Sequence, residues 1–329
     1  MPRRMNRRDF IVGSTSAAFL AGGSSEWPDA ARAEPQNLPV IGLLNGAWHH
    51  LNSGVASGLR DNGIQFRGEF SRWSGYQADQ IAMSAAELVK QQVALIVACS
   101  TTSALAAKAV THTTPIIFLA DDPVAAGLVD SVKRPNGNLT GVDGLVSGLT
   151  AKRIEIGREL VPTANLVVLV TDPANKPAYD LEIREAQAAT RALGLELSIV
   201  AWTGEHDIEI ELSALPRDRK IVLVCGWGPP FQYGRTPVAY AAERYGIATI
   251  SGDRETVEKD GLVSFGPRYA DAAHLIGEYA ARVLKGEKPA DLPIQRITRT
   301  ELVINLWGAK SLGLQICPAL LARADEVIK

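Results

Sequence analysis

The chain has 329 residues, 46% of them hydrophobic and 21% charged, with a formal net charge of −2. That length allows two domains of ordinary size, each with its own core, and the composition excludes a disordered chain. No basic excess suits a nucleic-acid partner, and the three dispersed cysteines, Cys99, Cys225 and Cys317, have neither the number of a disulfide framework nor the spacing of a zinc site.

The first segment, residues 1–33, reads as an export signal. Arg7-Arg8-Asp9-Phe10 is a twin-arginine pair followed by an aromatic residue, a small and apolar stretch runs from Phe10 to Gly23, and Ala31-Arg32-Ala33 is an A-x-A exit before Glu34. A charged start, a short apolar middle and a small-residue exit describe a cleaved signal peptide of the Tat type. The apolar part is too short to span a bilayer, which takes about 20 residues. Cleavage near Ala33 leaves a mature chain of net charge −4 in the periplasm.

From Val40 onward, apolar runs alternate with helical patterns. The expected order is strand Val40–Leu44, helix His49–Asn62, strand Gln65–Ser71, helix Ala78–Lys90, strand Val93–Ala98, helix Thr101–Val110 and strand Pro115–Leu119, followed by helix Ala151–Leu160. The pattern then restarts with strand Leu166–Val170, helix Ala178–Leu193, strand Glu196–Val200, helix Asp207–Leu215, strand Lys220–Val224, helix Pro237–Tyr245 and strand Ala248–Ser251. Continuous Val/Ile/Leu runs separated by helices argue for parallel sheets covered on both faces. Two such series predict an α/β chain of two Rossmann-like lobes. The remainder, helix Tyr269–Lys285, strand Gln295–Ile304 and helix Trp307–Leu312, is too short for a third domain and is expected to cross between the lobes. The expected division is 34–162 with 263–296 in the first lobe and 163–262 with 297–329 in the second. No flexible linker separates them, so the hinge consists of short crossing segments.

Ligands of open parallel sheets sit outside the carboxyl ends of the strands. The candidates are therefore the residues just past each strand. Ser100, Thr101 and Thr102 cap the following helix and leave backbone N–H groups for a carboxylate or another anion. Asp122 offers a carboxylate to a ligand ammonium. Trp48 and Trp227 offer flat faces, Asn45 and Asn175 offer paired donors and acceptors, and Asp253 and Arg254 follow the strand ending at Ser251. The catalytic templates come up empty: no G-x-G-x-x-G after a strand, no P-loop, no H-E-x-x-H and no G-x-S-x-G elbow. No catalytic residue, metal ligand or cofactor is expected. Cys99 reads as a small buried hydrophobe.

Several motifs together carry a family likeness: Ala104-Leu-Ala-Ala-Lys-Ala109, Asp122-Pro-Val-Ala-Ala-Gly-Leu-Val129, Arg134-Pro-Asn-Gly-Asn-Leu-Thr-Gly141, and Ala151-Lys-Arg153 with Glu159-Leu-Val-Pro162. Further along come Gly261-Leu-Val-Ser-Phe-Gly-Pro267, Leu284-Lys-Gly-Glu-Lys-Pro-Ala-Asp-Leu-Pro293, Glu301-Leu-Val-Ile-Asn305 and Leu321-Ala-Arg-Ala-Asp-Glu-Val327. With these motifs the chain resembles the ABC-type substrate-binding proteins of the type I periplasmic-binding fold, in the subfamily that takes tryptophan and other aromatic amino acids. The resemblance implies a monomer of two lobes closing on a small polar ligand, an aromatic amino acid or related carboxylate, and docking to an ABC permease with its ATPase. It places Ser100-Thr101-Thr102, Asp122 and Asn175 among the cleft residues. The chain departs from the family at Gly226-Trp227-Gly228-Pro229, where an Asp-Pro is usual, and in a shorter first loop after Asn45. An extracytoplasmic sensor that presents a bound solute to a signalling receptor is the alternative role for the same fold.

Overall fold

The computed structural model describes residues 38–44, 49–70, 78–144, 148–173, 176–202, 208–226, 231, 237–258 and 261–329. The export signal expected in residues 1–33 lies outside them. In chain order the first series is β1 (Val40–Leu44), α1 (His49–Asp61), β2 (Arg67–Phe70), α2 (Ala78–Lys90), β3 (Leu95–Ala98), α3 (Thr101–Val110), β4 (Ile116–Ala120) and β5 (Leu139–Asp143). The second is α4 (Leu149–Leu160), β6 (Leu166–Thr171), α5 (Lys176–Leu193), β7 (Glu196–Ala201), α6 (Ile208–Ser213), β8 (Ile221–Cys225), α7 (Pro237–Arg244), β9 (Ala248–Ser251), α8 (Arg254–Glu258) and β10 (Val263–Pro267). The chain closes with α9 (Tyr269–Leu284), β11 (Gln295–Arg296), β12 (Thr300–Asn305), α10 (Leu306–Ser311), α11 (Pro318–Leu321) and β13 (Glu326–Ile328).

The strands form two sheets, ordered β11-β5-β4-β3-β1-β2 and β13-β12-β10-β9-β8-β6-β7. Within them, β2-β1-β3-β4-β5 and β7-β6-β8-β9-β10 follow the same path, so the restart seen in the sequence is a structural repeat. Every pairing is parallel except β10 with β12. Apolar runs make these strands because helices cover both faces: all six residues of β6, Leu-Val-Val-Leu-Val-Thr, are buried. At the sheet edge β7 is mostly exposed or half-buried. The two lobes thus carry separate cores, one on each face of each sheet.

The chain crosses between the sheets three times among the described residues: between β5 and α4, at Arg268 between β10 and α9, and at 297–299 between β11 and β12. The crossings are tied together. Arg268 N–H donates to Arg299 C=O at 2.9 Å, Ile297 N–H donates to Asp143 C=O at 3.1 Å, and Arg296 pairs with the Asp143 carboxylate at 2.7 Å.

Two expected boundaries differ. Residues 149–162 and 263–267 were expected in the first lobe, but α4 packs on β8, β9 and β10, and β10 is a strand of the second sheet. Likewise the single strand expected over Gln295–Ile304 is two strands in different sheets. Ile297 is buried in the first core and Leu302 and Ile304 in the second, and the polar Thr298-Arg299 pair between them carries the crossing. Among the described residues no helix is long and apolar enough to cross a membrane.

Candidate functional site

Between the carboxyl ends of the two sheets lies a pocket with about 350 Å³ of empty space, part of it open to solvent. Asp121 and Gly144, just past β4 and β5, line it from the first lobe. Thr150 and Arg153 of α4 and Glu182 and Glu185 of α5 line it from the second, and Pro267 and Tyr269 flank it at the second crossing.

The second-lobe wall is built around the start of α4. Gly148, the N-cap, has φ +83° and no side chain to cap with. Glu185 of α5 takes that role, accepting from Gly148 N–H and, at 3.1 Å, from Thr150 N–H. A carboxylate suits the positive end of a helix. Arg153 follows one turn later, 2% exposed, with Nε–H donating to Phe265 C=O at 2.8 Å. Its guanidinium packs against Gly252, where a Cβ would approach Nη2 to 2.5 Å. Glu182 sits beside it at the second sheet's switch point, between the ends of β6 and β8. It accepts from Thr171 Oγ1–H at 2.5 Å and presses against Gly226, leaving no room for a Cβ there.

Burial sets the protonation of this cluster. It pulls the Arg153 guanidinium below its ordinary value, and Glu182 is the foremost of the charges that pull it back. An arginine so placed remains a cation. Burial, then Asp121 and Asp253, hold the Tyr269 hydroxyl well above its ordinary range, so it remains a hydrogen-bond donor. The Cys225 thiol, at the end of β8, is pushed by burial up to about 12 and is no nucleophile near neutral pH. The arrangement is one of fixed charges around a hollow.

The expected site residues fall into three groups. Asn45, Trp48, Asn175 and Trp227 lie outside the described residues. Asp253 is not among the lining residues of the pocket: it is 3% exposed, its charge helps to raise the Tyr269 hydroxyl, and its Oδ1 accepts from Glu255 N–H at 3.1 Å. The others hold the scaffold. Ser100 Oγ accepts from Ser103 N–H at 3.1 Å while Ser103 Oγ accepts from Ser100 N–H at 3.0 Å, a capping box. Thr101 Oγ1 accepts from Asp121 N–H at 3.0 Å and so ties the end of β3 to that of β4; Thr102 is exposed. Asp122, at φ +40°, spends Oδ1 on Ala125 N–H at 3.1 Å and thereby closes its own turn. Arg254 is engaged by three carboxylates, Glu258 at 2.9 Å, Glu301 at 2.7 Å and Glu326 at 2.5 Å, pinning α8 to β12 and β13. Sequence reasoning passed over Arg153, Glu182 and Tyr269. A signal for Arg153 was present: Thr150, Arg153, Ile154 and Gly157 recur at helical spacing on the buried face of α4, which puts a charge on an apolar stripe.

The family model for the ABC transporter substrate binding protein matches residues 43–328. This chain belongs to that family. It is a family of substrate-binding proteins and not of enzymes. The substrate-binding protein is 28% identical over 247 residues to the tyrosine-binding protein of Clostridioides difficile (strain R20291), an overlap of 70% of this chain and 66% of that one, so it spans just under two thirds of that relative's length. Among solved structures it is similar to the ABC domain in complex with L-Trp from Streptococcus pneumoniae, with TM-score 0.78 and 24% identity over 89% of this chain and 100% of that one. A conserved domain protein from Vibrio cholerae matches with TM-score 0.76 and 23% identity over 88% of this chain and 100% of that one. The expected two-lobed type I periplasmic-binding fold is the fold these structures share with the chain.

Proposed function

We propose that this substrate-binding protein is the extracytoplasmic solute receptor of an ABC importer. It takes an aromatic amino acid, or a closely related carboxylate, between its lobes and hands it to a membrane permease and its ATPase. The observation that carries the reading is the pocket between the two sheets, where a buried guanidinium, three carboxylates and a tyrosine hydroxyl line one hollow. Small-molecule sites are concave and carry a few placed polar groups. The family, the tyrosine-binding relative and the L-Trp-bound structure support this choice of ligand class.

In this reading the lobes are residues 38–144 with 269–296 and residues 149–267 with 300–329, and the protein acts as a monomer. Asn45, Trp48, Thr102, Asn175, Trp227 and Asp253 serve as ligand contacts in this reading, the tryptophans for the flat part of the ligand. Ser100, Thr101, Asp122 and Arg254 act by holding the strand-end turns in place. The twin-arginine signal in residues 1–33 exports the chain and is removed near Ala33.

A thermal-shift screen of the chain from Glu34 to Lys329 tests this reading against amino acids, aromatic carboxylates, sugars and nucleosides. A ligand at 100 times its Kd adds about 2.7 kcal/mol of stability. Stabilisation by L-tyrosine or L-tryptophan is expected. Stabilisation by sugars or nucleosides alone rejects the ligand class.

A further inference from the structure

We infer that Arg153 is the residue that binds the carboxylate of the solute, and that the solute is a zwitterionic α-amino acid rather than a simple anion. The inference rests on the binding role proposed above and deepens it.

The first ground is an incomplete set of hydrogen bonds. A guanidinium has five N–H donors. Arg153 is 2% exposed, and among the described residues its one hydrogen bond runs from Nε to Phe265 C=O. Arg153 lines the pocket, and among the described residues no acceptor faces its two terminal NH₂ groups. A carboxylate matches the fork of such a guanidinium with two parallel charge-assisted bonds. The nearby carboxylates are committed elsewhere. Glu182 is held by Thr171 and wedged against Gly226, and Glu185 caps α4. They balance the charge of Arg153 at a distance without closing its fork.

The second ground is the sum of charges. Among the described residues, Asp121, Glu182 and Glu185 line the pocket against one cation, Arg153. Such a hollow repels a bare anion. A zwitterion brings its own ammonium, whose charge the carboxylate-rich wall offsets electrostatically while the guanidinium takes the carboxylate. The turn at Ser100–Thr101, expected from the sequence to hold an anion, spends both hydroxyls inside the fold.

The test is calorimetric titration of the full mature chain and of Arg153→Gln with three probes: L-tryptophan, tryptamine, which lacks the carboxylate, and indole-3-propionate, which lacks the ammonium. The parent is expected to prefer L-tryptophan over both analogues by about 100-fold, the scale of losing one partner of a buried charge pair. Arg153→Gln should weaken L-tryptophan by about the same factor and leave tryptamine unchanged. A folded Arg153→Gln protein that binds L-tryptophan within about threefold of the parent overturns the assignment, as does one that loses tryptamine equally. Should the variant fail to fold, the parent still decides: L-tryptophanamide binding as tightly as L-tryptophan overturns the assignment. A parent that ignores aromatic amino acids but binds another L-amino acid, again lost in Arg153→Gln, rejects the aromatic reading and keeps Arg153. A parent that binds only sugars or nucleosides rejects both.

Discussion

Cys225 ends β8 beside Arg153 and Glu182, and burial there pushes its thiol from the ordinary 9.0 up to about 12. A group whose pKa is raised on folding releases its proton first in the unfolded chain. Its contribution to stability is therefore complete below pH 9 and is lost as pH rises from about 9 to about 12. The melting temperature of the parent is expected to fall between pH 8.5 and 10.5, and that of Cys225→Ala to fall less steeply over the same range. Parallel slopes for the two proteins would show that the thiol is not the group responsible. Tyr269, also raised by burial, adds to the loss only above pH 10. At this scale the sequence is legible where a side chain acts on its own neighbours. Ser100 as a helix cap and Asp122 as a turn residue follow from the local string, since each bonds within three residues. Arg153 is not legible in that way, because its surroundings come from Phe265, Gly252, Glu182 and Tyr269, far away in the chain.

Helices α1 and α9 meet across the first lobe with their backbones in contact. A Cβ on Gly58 would collide with His274 C=O, and one on Gly277 with Val55 C=O. Neither collision is with a flexible side-chain end, so Gly58→Ala must push the helices apart. Overpacking of this kind costs about 1–3 kcal/mol. A melting temperature lowered by several degrees is expected, at about 2–4 °C per kcal/mol for a large domain. A shift below 1 °C would mean that the two helices are not packed this closely. The main helices and the long apolar strands are legible in the sequence because their periodicity is uninterrupted. The strands β5, Leu-Thr-Gly-Val-Asp, and β10, Val-Ser-Phe-Gly-Pro, are not, because glycine, serine and proline break the apolar run. They become strands by pairing, β5 against β4 and β10 against β9 and β12. Where the lobes divide is set at the same elements, since β10 and α4 decide where the crossings fall.

As a whole, the described residues form two sheets of matching strand order joined by three crossings, with the charged hollow between the strand ends and beside the crossings. The repeat is visible in the sequence as a restart of the strand–helix series. The hollow is not, because it is assembled from both series at once: Asp121 and Gly144 from one, Arg153, Glu182 and Glu185 from the other, and Tyr269 from the segment that returns. In the proposed function a cleft made in this way takes one solute per chain. The most direct measurement of the central claim is an isothermal titration of the mature chain with L-tyrosine and L-tryptophan at several temperatures. Saturation at one ligand per chain is predicted, with a negative heat-capacity change as the aromatic ring is buried. Absence of binding to any amino acid, alongside saturable binding of a sugar or nucleoside, would contradict it.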